Sequence, residues 1–380
     1  VFSFTGDSSQ FRQAIREDSE YLYKQVIAQT SRVALIFIDE VQKCEEIFDA
    51  IKIAYDRGKI SFIVSGSNPA YLATVARKRL QRRADFLTLS AISLRELIFH
   101  NQLYSPVVEL NFEKILWTQT DLSKLNFSPF RMSDQIIALC KQYFIYGGLP
   151  LSLIASQPDQ KLMQIRLTIE RGFELMSADN NSLADTIRSE LAYLHSKEFA
   201  YKNIFEKTRT KKRNAINDVI DQLINHGYLV KKKPYLKDDQ RTSYLSIFSY
   251  TDPGIVSYLT GDYDWERVAG SRVEGYIHER LAVFIANSPF KASLHYYKPY
   301  TVDANDKVKY QSGEVDFIFE HGRRIIPIEV KSSFSLSNME LDQLESFIKT
   351  HRSLFGIVIY GGAPHFDLKK KLLFWPYWLV

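Results

Sequence analysis

One run of eight residues limits the architecture more than any other feature: Val33-Ala-Leu-Ile-Phe-Ile-Asp39-Glu40. A continuous apolar run that ends in two acids reads as a parallel strand covered on both faces, with its C-terminal end at the surface. That edge is where open α/β sheets bind ligands. Helix Glu45–Tyr55 follows, with Ile47, Phe48, Ile51, Ala54 and Tyr55 at helical spacing. Next come strand Ile60–Ser65, helix Pro69–Leu80 with proline at its first turn, strand Phe86–Leu89 and a short helix from Leu94. This alternation predicts an α/β domain with a parallel sheet over residues 1–105.

At 380 residues, two or three domains are expected. The chain is 45% apolar and 13% aromatic, which is ample for globular cores. Residues 106–180 read as helical, interrupted at Tyr146-Gly147-Gly148-Leu149-Pro150. Residues 181–262 read as three helices and a hairpin, Tyr228–Lys233 with Ser243–Phe248, around the polar turn Lys237-Asp238-Asp239-Gln240. That is the winged-helix order. Residues 263–380 read as helix, three strands, helix, strand. The expected class is α/β multidomain, with an N-terminal parallel α/β sheet, a helical and winged-helix middle and a C-terminal α/β domain.

Cys44 and Cys140 are the only cysteines, which excludes a disulfide framework or a zinc cluster and predicts core thiols in a reducing cytoplasm. No apolar run approaches the ~20 residues that span a membrane. The 49 basic residues against 44 acidic ones give +5, too mild to name a partner, so clustering of charge matters more than its total.

Asp39 and Glu40 have the placement of two acids known from P-loop enzymes, where the first holds Mg²⁺ and the second polarises the attacking water. The alternative is an ordinary strand ending in solvated acids. The next strand ends Ser65-Gly66-Ser67-Asn68, small hydrogen-bonding residues where a sensor of the γ-phosphate would lie. Together, "IFIDEVQK", "SGSN", "LQRRADFLTLSAISLREL" and "YGGLP", in this order, resemble a large prokaryotic group of AAA-type ATPases that carries a nuclease-like C-terminal domain. The resemblance implies ATP and Mg²⁺ as cofactors and Asp39-Glu40 as the Walker B pair. It further implies Ser67 or Asn68 as first sensor and Arg83 as arginine finger, with Arg82 its rival. The chain departs from the group in lacking any G-x-x-x-x-G-K-[ST]. It starts at Val1 rather than Met, and the missing loop is expected ahead of Phe2–Phe4. By itself, this stretch is expected to bind nucleotide weakly or not at all.

Lys207, Arg209, Lys211, Lys212 and Arg213 place five cations and no acid in seven residues. They lead a helix with the apolar stripe Ile216, Val219, Ile220, Leu223 and Ile224. Exposed cations there oppose the helix dipole by about 0.3–1 kcal/mol each, which an anionic partner such as DNA would offset. Lys231-Lys232-Lys233 in the wing would then touch the DNA backbone. A solvated face of a helical lid is the plain alternative.

In the last domain, Glu314-Val-Asp316-Phe-Ile-Phe-Glu320 and Ile325-Ile-Pro-Ile-Glu329-Val-Lys331 read as adjacent strands. Period two puts Val315, Phe317 and Phe319 on one face with Asp316 opposite, and Ile326, Ile328 and Val330 on one face with Glu329 and Lys331 opposite. Glu274, in helix Gly270–Asn287, flanks the apolar stripe and would complete the group, with Glu279 as rival. Carboxylates so gathered suit Mg²⁺, and the lysine suits activation of water. This D…E-x-K pattern resembles the PD-(D/E)XK nuclease superfamily, without its proline ahead of the aspartate. The alternative is a strand-surface Glu–Lys pair worth ~0–1 kcal/mol. The expected function is ATP-dependent DNA binding, with metal-dependent cutting by the C-terminal domain, by a chain compatible with a homo-oligomer. The rival is a nucleotide-controlled switch that binds DNA or protein without cutting.

Overall fold

The computed structural model describes residues 1–30, 32–103, 111–118, 121–122, 125, 127, 133–176, 182–208, 212–235, 246–302, 308–310, 313–335 and 341–380. Two compact units emerge, residues 1–88 with 221–227, and residues 89–220 with 228–380.

In the first unit, β1 (Phe2–Thr5), β2 (Ala34–Asp39) and β3 (Ile60–Val64) form a parallel sheet in the order β1-β2-β3. Helices α1 (Ser9–Glu17), α2 (Tyr21–Ile27), α3 (Glu46–Asp56) and α4 (Pro69–Leu80) complete it. Ser8 caps α1 by accepting from the Phe11 amide, and Asn68 caps α4 by accepting from the Tyr71 amide. The core joins Phe11, Ile15, Leu22 and Val26 to Ile36, Ile38, Phe48 and Ile51. Burying each such side chain contributes about 1.5–3 kcal/mol. Two expectations need correction. Only the Ala34, Ile36, Ile38 side of β2 is in that core, whereas Phe37 and its neighbour Ile63 are 37% and 54% exposed. The helices of this unit thus cover one face of the strand rather than both. Residues 86–89 form no strand: Phe86 packs on the core, but Leu87 and Leu89 face solvent and the segment pairs with no strand among the described residues. Strand propensity without a backbone partner leaves extended chain.

The second unit opens with α5 (Leu94–His100), α6 (Phe112–Trp117), α7 (Asp134–Tyr146), α8 (Pro150–Ile154) and α9 (Pro158–Met176). There follow α10 (Ser182–Tyr193), β4 (Lys197–Glu198), α11 (Tyr201–Lys207), α12 (Arg213–Asn225, whose residues 221–225 are grouped with the first unit), β5 (Leu229–Pro234), β6 (Ile247–Tyr250) and α13 (Pro253–Thr260). The last third is α14 (Trp265–Asn287), β7 (Ser293–Tyr297), β8 (Tyr300–Val302), β9 (Val308–Tyr310), β10 (Val315–His321), β11 (Arg324–Val330), α15 (Asp342–His351), β12 (Gly356–Tyr360), β13 (His365–Asp367) and β14 (Leu372–Pro376). Hairpin β8–β9 and strands β13 and β14 exceed the expected inventory.

Of the domains expected over 106–180, 181–262 and 263–380, residues 106–220 and 228–380 fall within the second unit. Leu94, Ile98, Phe112 and Phe144 share one core with Val273, Ile277, Phe317, Ile328, Trp375 and Trp378. For the same reason residues 89–105 belong here rather than with the first sheet: the Ser93/Glu96 capping box starts α5, and the Leu94 amide donates to the Tyr276 hydroxyl at 3.2 Å. The expected hairpin forms, pairing Leu229 with Tyr250 and Lys232 with Ile247, while its turn lies outside the described residues. Its strand β5 also pairs in parallel with β7. Nine of the strands described in the second unit therefore make one sheet, β13-β14-β12-β11-β10-β7-β5-β6-β4, while β8 and β9 pair with each other.

The register of β10 on β7 shifts between Val315 and Ile318. Val315 consequently packs with Ile318 and the α15 residues Leu344 and Phe347, while Phe317 and Phe319 pack with α14 residues. Strict alternation puts Val315 beside Phe317, and the irregularity at Asp316 overturns that expectation.

Helix α7 stops at Gly147, whose φ of 75° and ψ of −173° suit glycine alone. Asp252, 1% exposed, caps α13 and accepts from the amides of Gly148 (2.6 Å) and Gly254 (2.8 Å). Nearby, His278 Nδ1 meets Ser249 Oγ at 2.9 Å, Ser249 meets Ser196 at 3.1 Å, and His195 Nδ1 accepts from the Tyr250 amide. Burial, with Lys232 and His195 close by, pushes the His278 pKa well below its ordinary value. A depressed histidine contributes stability that is present above about pH 6.5 and is lost as pH falls. Wild type is therefore expected to lose its advantage over His278→Gln by up to about 1.4 kcal/mol per pH unit between pH 6.5 and 5. Urea unfolding at several pH values reads this, and a pH-independent difference would contradict it.

Candidate functional site

Asp39 and Glu40 stand at the C-terminal edge of the three-stranded sheet. Asp39 is exposed, and Ser65 Oγ donates to its Oδ1. Glu40 adopts a left-handed backbone (φ 51°, ψ 42°), an uncommon state for a non-glycine residue. Its carbonyl is approached so closely by Gly6 that a Cβ there would lie 2.1 Å from the oxygen, and the Gly6 amide donates to the Asp39 carbonyl at 2.7 Å. Gln42 Nε2 donates to Glu40 Oε2 (2.6 Å) and Ser67 Oγ (3.0 Å), while Gln42 Oε1 is buried with no hydrogen bond. The edge thus gathers hard oxygens and one orphaned acceptor, donor types that suit Mg²⁺. Ser67 joins this cluster. Asn68 instead spends its side-chain oxygen on the α4 cap. Arg83 is held away from the edge by Asp56, with Nε–Oδ1 2.6 Å and Nη2–Oδ2 3.0 Å, whereas Arg82 is exposed. Gln42 is the residue that sequence reasoning missed, since nothing in "EVQK" marks a glutamine that turns back on the strand.

Asp316, Glu329, Lys331 and Glu274 come together in the second unit, joined by a residue expected in the wing. Lys232, 1% exposed, donates to Glu274 Oε1 at 2.7 Å and to the Asp316 carbonyl at 3.0 Å, and lies 3.9 Å from the Phe317 ring centroid. It is therefore no wing contact to DNA. Strand β5 alternates here, turning Lys231 and Lys233 to solvent and Lys232 inward, a signal period two already contained. Lys331 Nζ holds Glu329 Oε1 at 2.7 Å, and Asp316 Oδ2 accepts from the Val330 amide at 2.7 Å. Burial, then the neighbouring Glu329 and Glu274 charges, raises the Asp316 pKa, and burial raises that of Glu329. Glu279, the rival of Glu274, is paired with Arg280 through both oxygens (2.7 and 2.9 Å).

A Mg²⁺ ion does not fit this cluster. Glu329 Oε2 is buried and unbonded, but no group of three His, Cys, Asp or Glu among the described residues could hold a metal.

The basic segment is described at Lys207, Lys212 and Arg213, all exposed, while Arg209 and Lys211 lie outside the described residues. Arg213 sits over the Tyr201 ring at 5.1 Å and begins α12, whose Ile216, Val219, Ile220 and Leu223 are buried as expected. Cys44 and Cys140 are buried thiols, and no helix among the described residues is long and apolar enough to cross a membrane.

Residues 1–98 match the AAA domain family. This part of the chain is thus similar to AAA domains. Residues 269–380 match a domain of unknown function, DUF4143. Among solved structures, a Walker-type ATPase of Pyrococcus abyssi is 12% identical over 65% of this chain and 67% of its own, with TM-score 0.37. A Vibrio cholerae protein is 13% identical over 94% and 88%, with TM-score 0.20. No curated protein matches the chain.

Proposed function

We propose that the chain is an ATP-hydrolysing protein whose nucleotide state controls DNA binding by its second unit, without cutting. The observation that carries the ATPase half is the edge cluster of Asp39, Glu40, Gln42 and Ser67 on an AAA-type sheet. Mg²⁺, when bound with nucleotide, supplies charge neutralisation at the phosphates. Asp39 would hold it as a carboxylate ligand, and Glu40, aimed by Gln42, would orient the attacking water and accept its proton. Ser67 reads the γ-phosphate. Asn68 is a weaker sensor because its oxygen caps α4, and Arg83 serves as a finger only by leaving Asp56, which makes Arg82 the freer candidate.

The DNA half rests on Lys207, Arg209, Lys211, Lys212 and Arg213 ahead of α12, in the helix-and-hairpin order of a winged helix. Exposed Lys231 and Lys233 extend it. Phosphate contact predominates over base readout in such a cluster. Non-cutting is favoured by one specific observation, a buried lysine that takes up Glu274 and the Asp316 backbone carbonyl.

Duplex binding followed by fluorescence anisotropy from 50 to 200 mM salt tests the DNA reading. Replacing Lys211, Lys212 and Arg213 together by alanine is expected to weaken binding and flatten the log–log salt slope by about 0.9 for each phosphate that is no longer neutralised. An unchanged slope places the DNA-binding surface elsewhere and favours a lid role for these helices.

A further inference from the structure

We propose that Lys232 is the resident cation of the Glu274–Asp316–Glu329 cluster, standing in for a divalent ion and making this site metal-independent. All three ammonium protons have a destination: the Glu274 carboxylate, the Asp316 carbonyl and the face of Phe317. An ammonium buried to 1% exposure is sustained only by such pairing. Lys331 holds Glu329 in the same way, so two ammonium groups already oppose three carboxylates. At most one negative charge is left for an incoming ion. Mg²⁺ also demands near-octahedral oxygen ligands at about 2.0–2.1 Å, and the Lys232 ammonium occupies one oxygen of Glu274.

The device depends on the seam of the sheet. Strand β5 pairs with β7 through Lys233–His295 and Pro234–Tyr296, which carries the preceding residue beneath α14 and beside the start of β10. The hairpin thus contributes a residue to the C-terminal cluster.

Thermal unfolding of the whole chain with and without Mn²⁺, free of nucleotide, tests it. Wild type is expected to show the same midpoint in both. Lys232→Met, which keeps the bulk and removes the charge, is expected to gain at least about 5 °C at saturating Mn²⁺, and to lose that gain when Asp316→Ala is added. A wild-type rise with Mn²⁺ that Asp316→Ala abolishes overturns the proposal. So does a folded Lys232→Met chain that gains no response. Should Lys232→Met not fold, reductive methylation of native wild type decides: Lys232 is expected to stay unmodified while exposed Lys233 reacts. Methylation of the two at the same rate overturns the proposal.

Discussion

Gly147→Ala is expected to cost the second unit about 3–9 kcal/mol, enough to unfold a marginal domain. Two effects add. The backbone at φ 75° and ψ −173° lies where only glycine is at ease, worth about 1–3 kcal/mol for another residue. An added Cβ would also lie 1.9 Å from Asp252 Oδ1. Moving that carboxylate strands the amides of Gly148 and Gly254, at about 1–3 kcal/mol each. Gly261 is the internal comparison: its φ is also positive, at 66°, but a Cβ there meets nothing within 4 Å. Gly261→Ala should therefore cost only about 1 kcal/mol. Urea unfolding of the two variants separates crowding from backbone strain, and equal losses would remove Asp252 from the explanation.

The "YGGLP" stretch shows how far the sequence could be read. Its glycines are visible as a break between helices, but the aspartate that requires them lies over a hundred residues later, and no local pattern links the two. Local periodicity was enough wherever the chemistry rides on it. The acids at the end of β2, the proline of α4, and the faces of β11 follow from alternation and helix signals within a few residues. It was not enough where distant chain supplies the partner. Residues 86–89 have strand composition and no strand to pair with among the described residues. Val315 changes layers at a register shift that only β7 imposes. Lys232 illustrates both sides, since alternation within β5 turns it inward, yet only the β5–β7 seam reveals what it faces.

Glu40→Gln is expected to lower ATP turnover by about 10²- to 10⁴-fold while nucleotide remains bound. Turnover is to be measured on the longest natural polypeptide containing this chain, with Mg²⁺. The amide is isosteric and keeps a partner in Gln42, so the edge is preserved while the acceptor for the proton of water is lost. The left-handed backbone at Glu40 costs about 1–3 kcal/mol, and Gly6, the Gln42 bond and the short helical turn that follows over-determine it. Strain of that kind is retained where it aims a reacting group. Asp39→Asn should instead weaken Mg²⁺-dependent nucleotide binding itself. Wild-type turnover by Glu40→Gln would leave Glu40 without a chemical part.

That same variant offers the most direct test of nucleotide control. With hydrolysis blocked, duplex DNA affinity of Glu40→Gln is measured by anisotropy at fixed salt, once with saturating ATP and once with ADP. Control of the second unit by the first predicts a ratio of affinities of about fivefold or more, the usual scale of coupling between sites. The ratio should collapse toward unity when Asp39→Asn is added. Equal DNA affinity in ATP and ADP, with both nucleotides bound, would contradict the claim that the nucleotide state governs DNA binding.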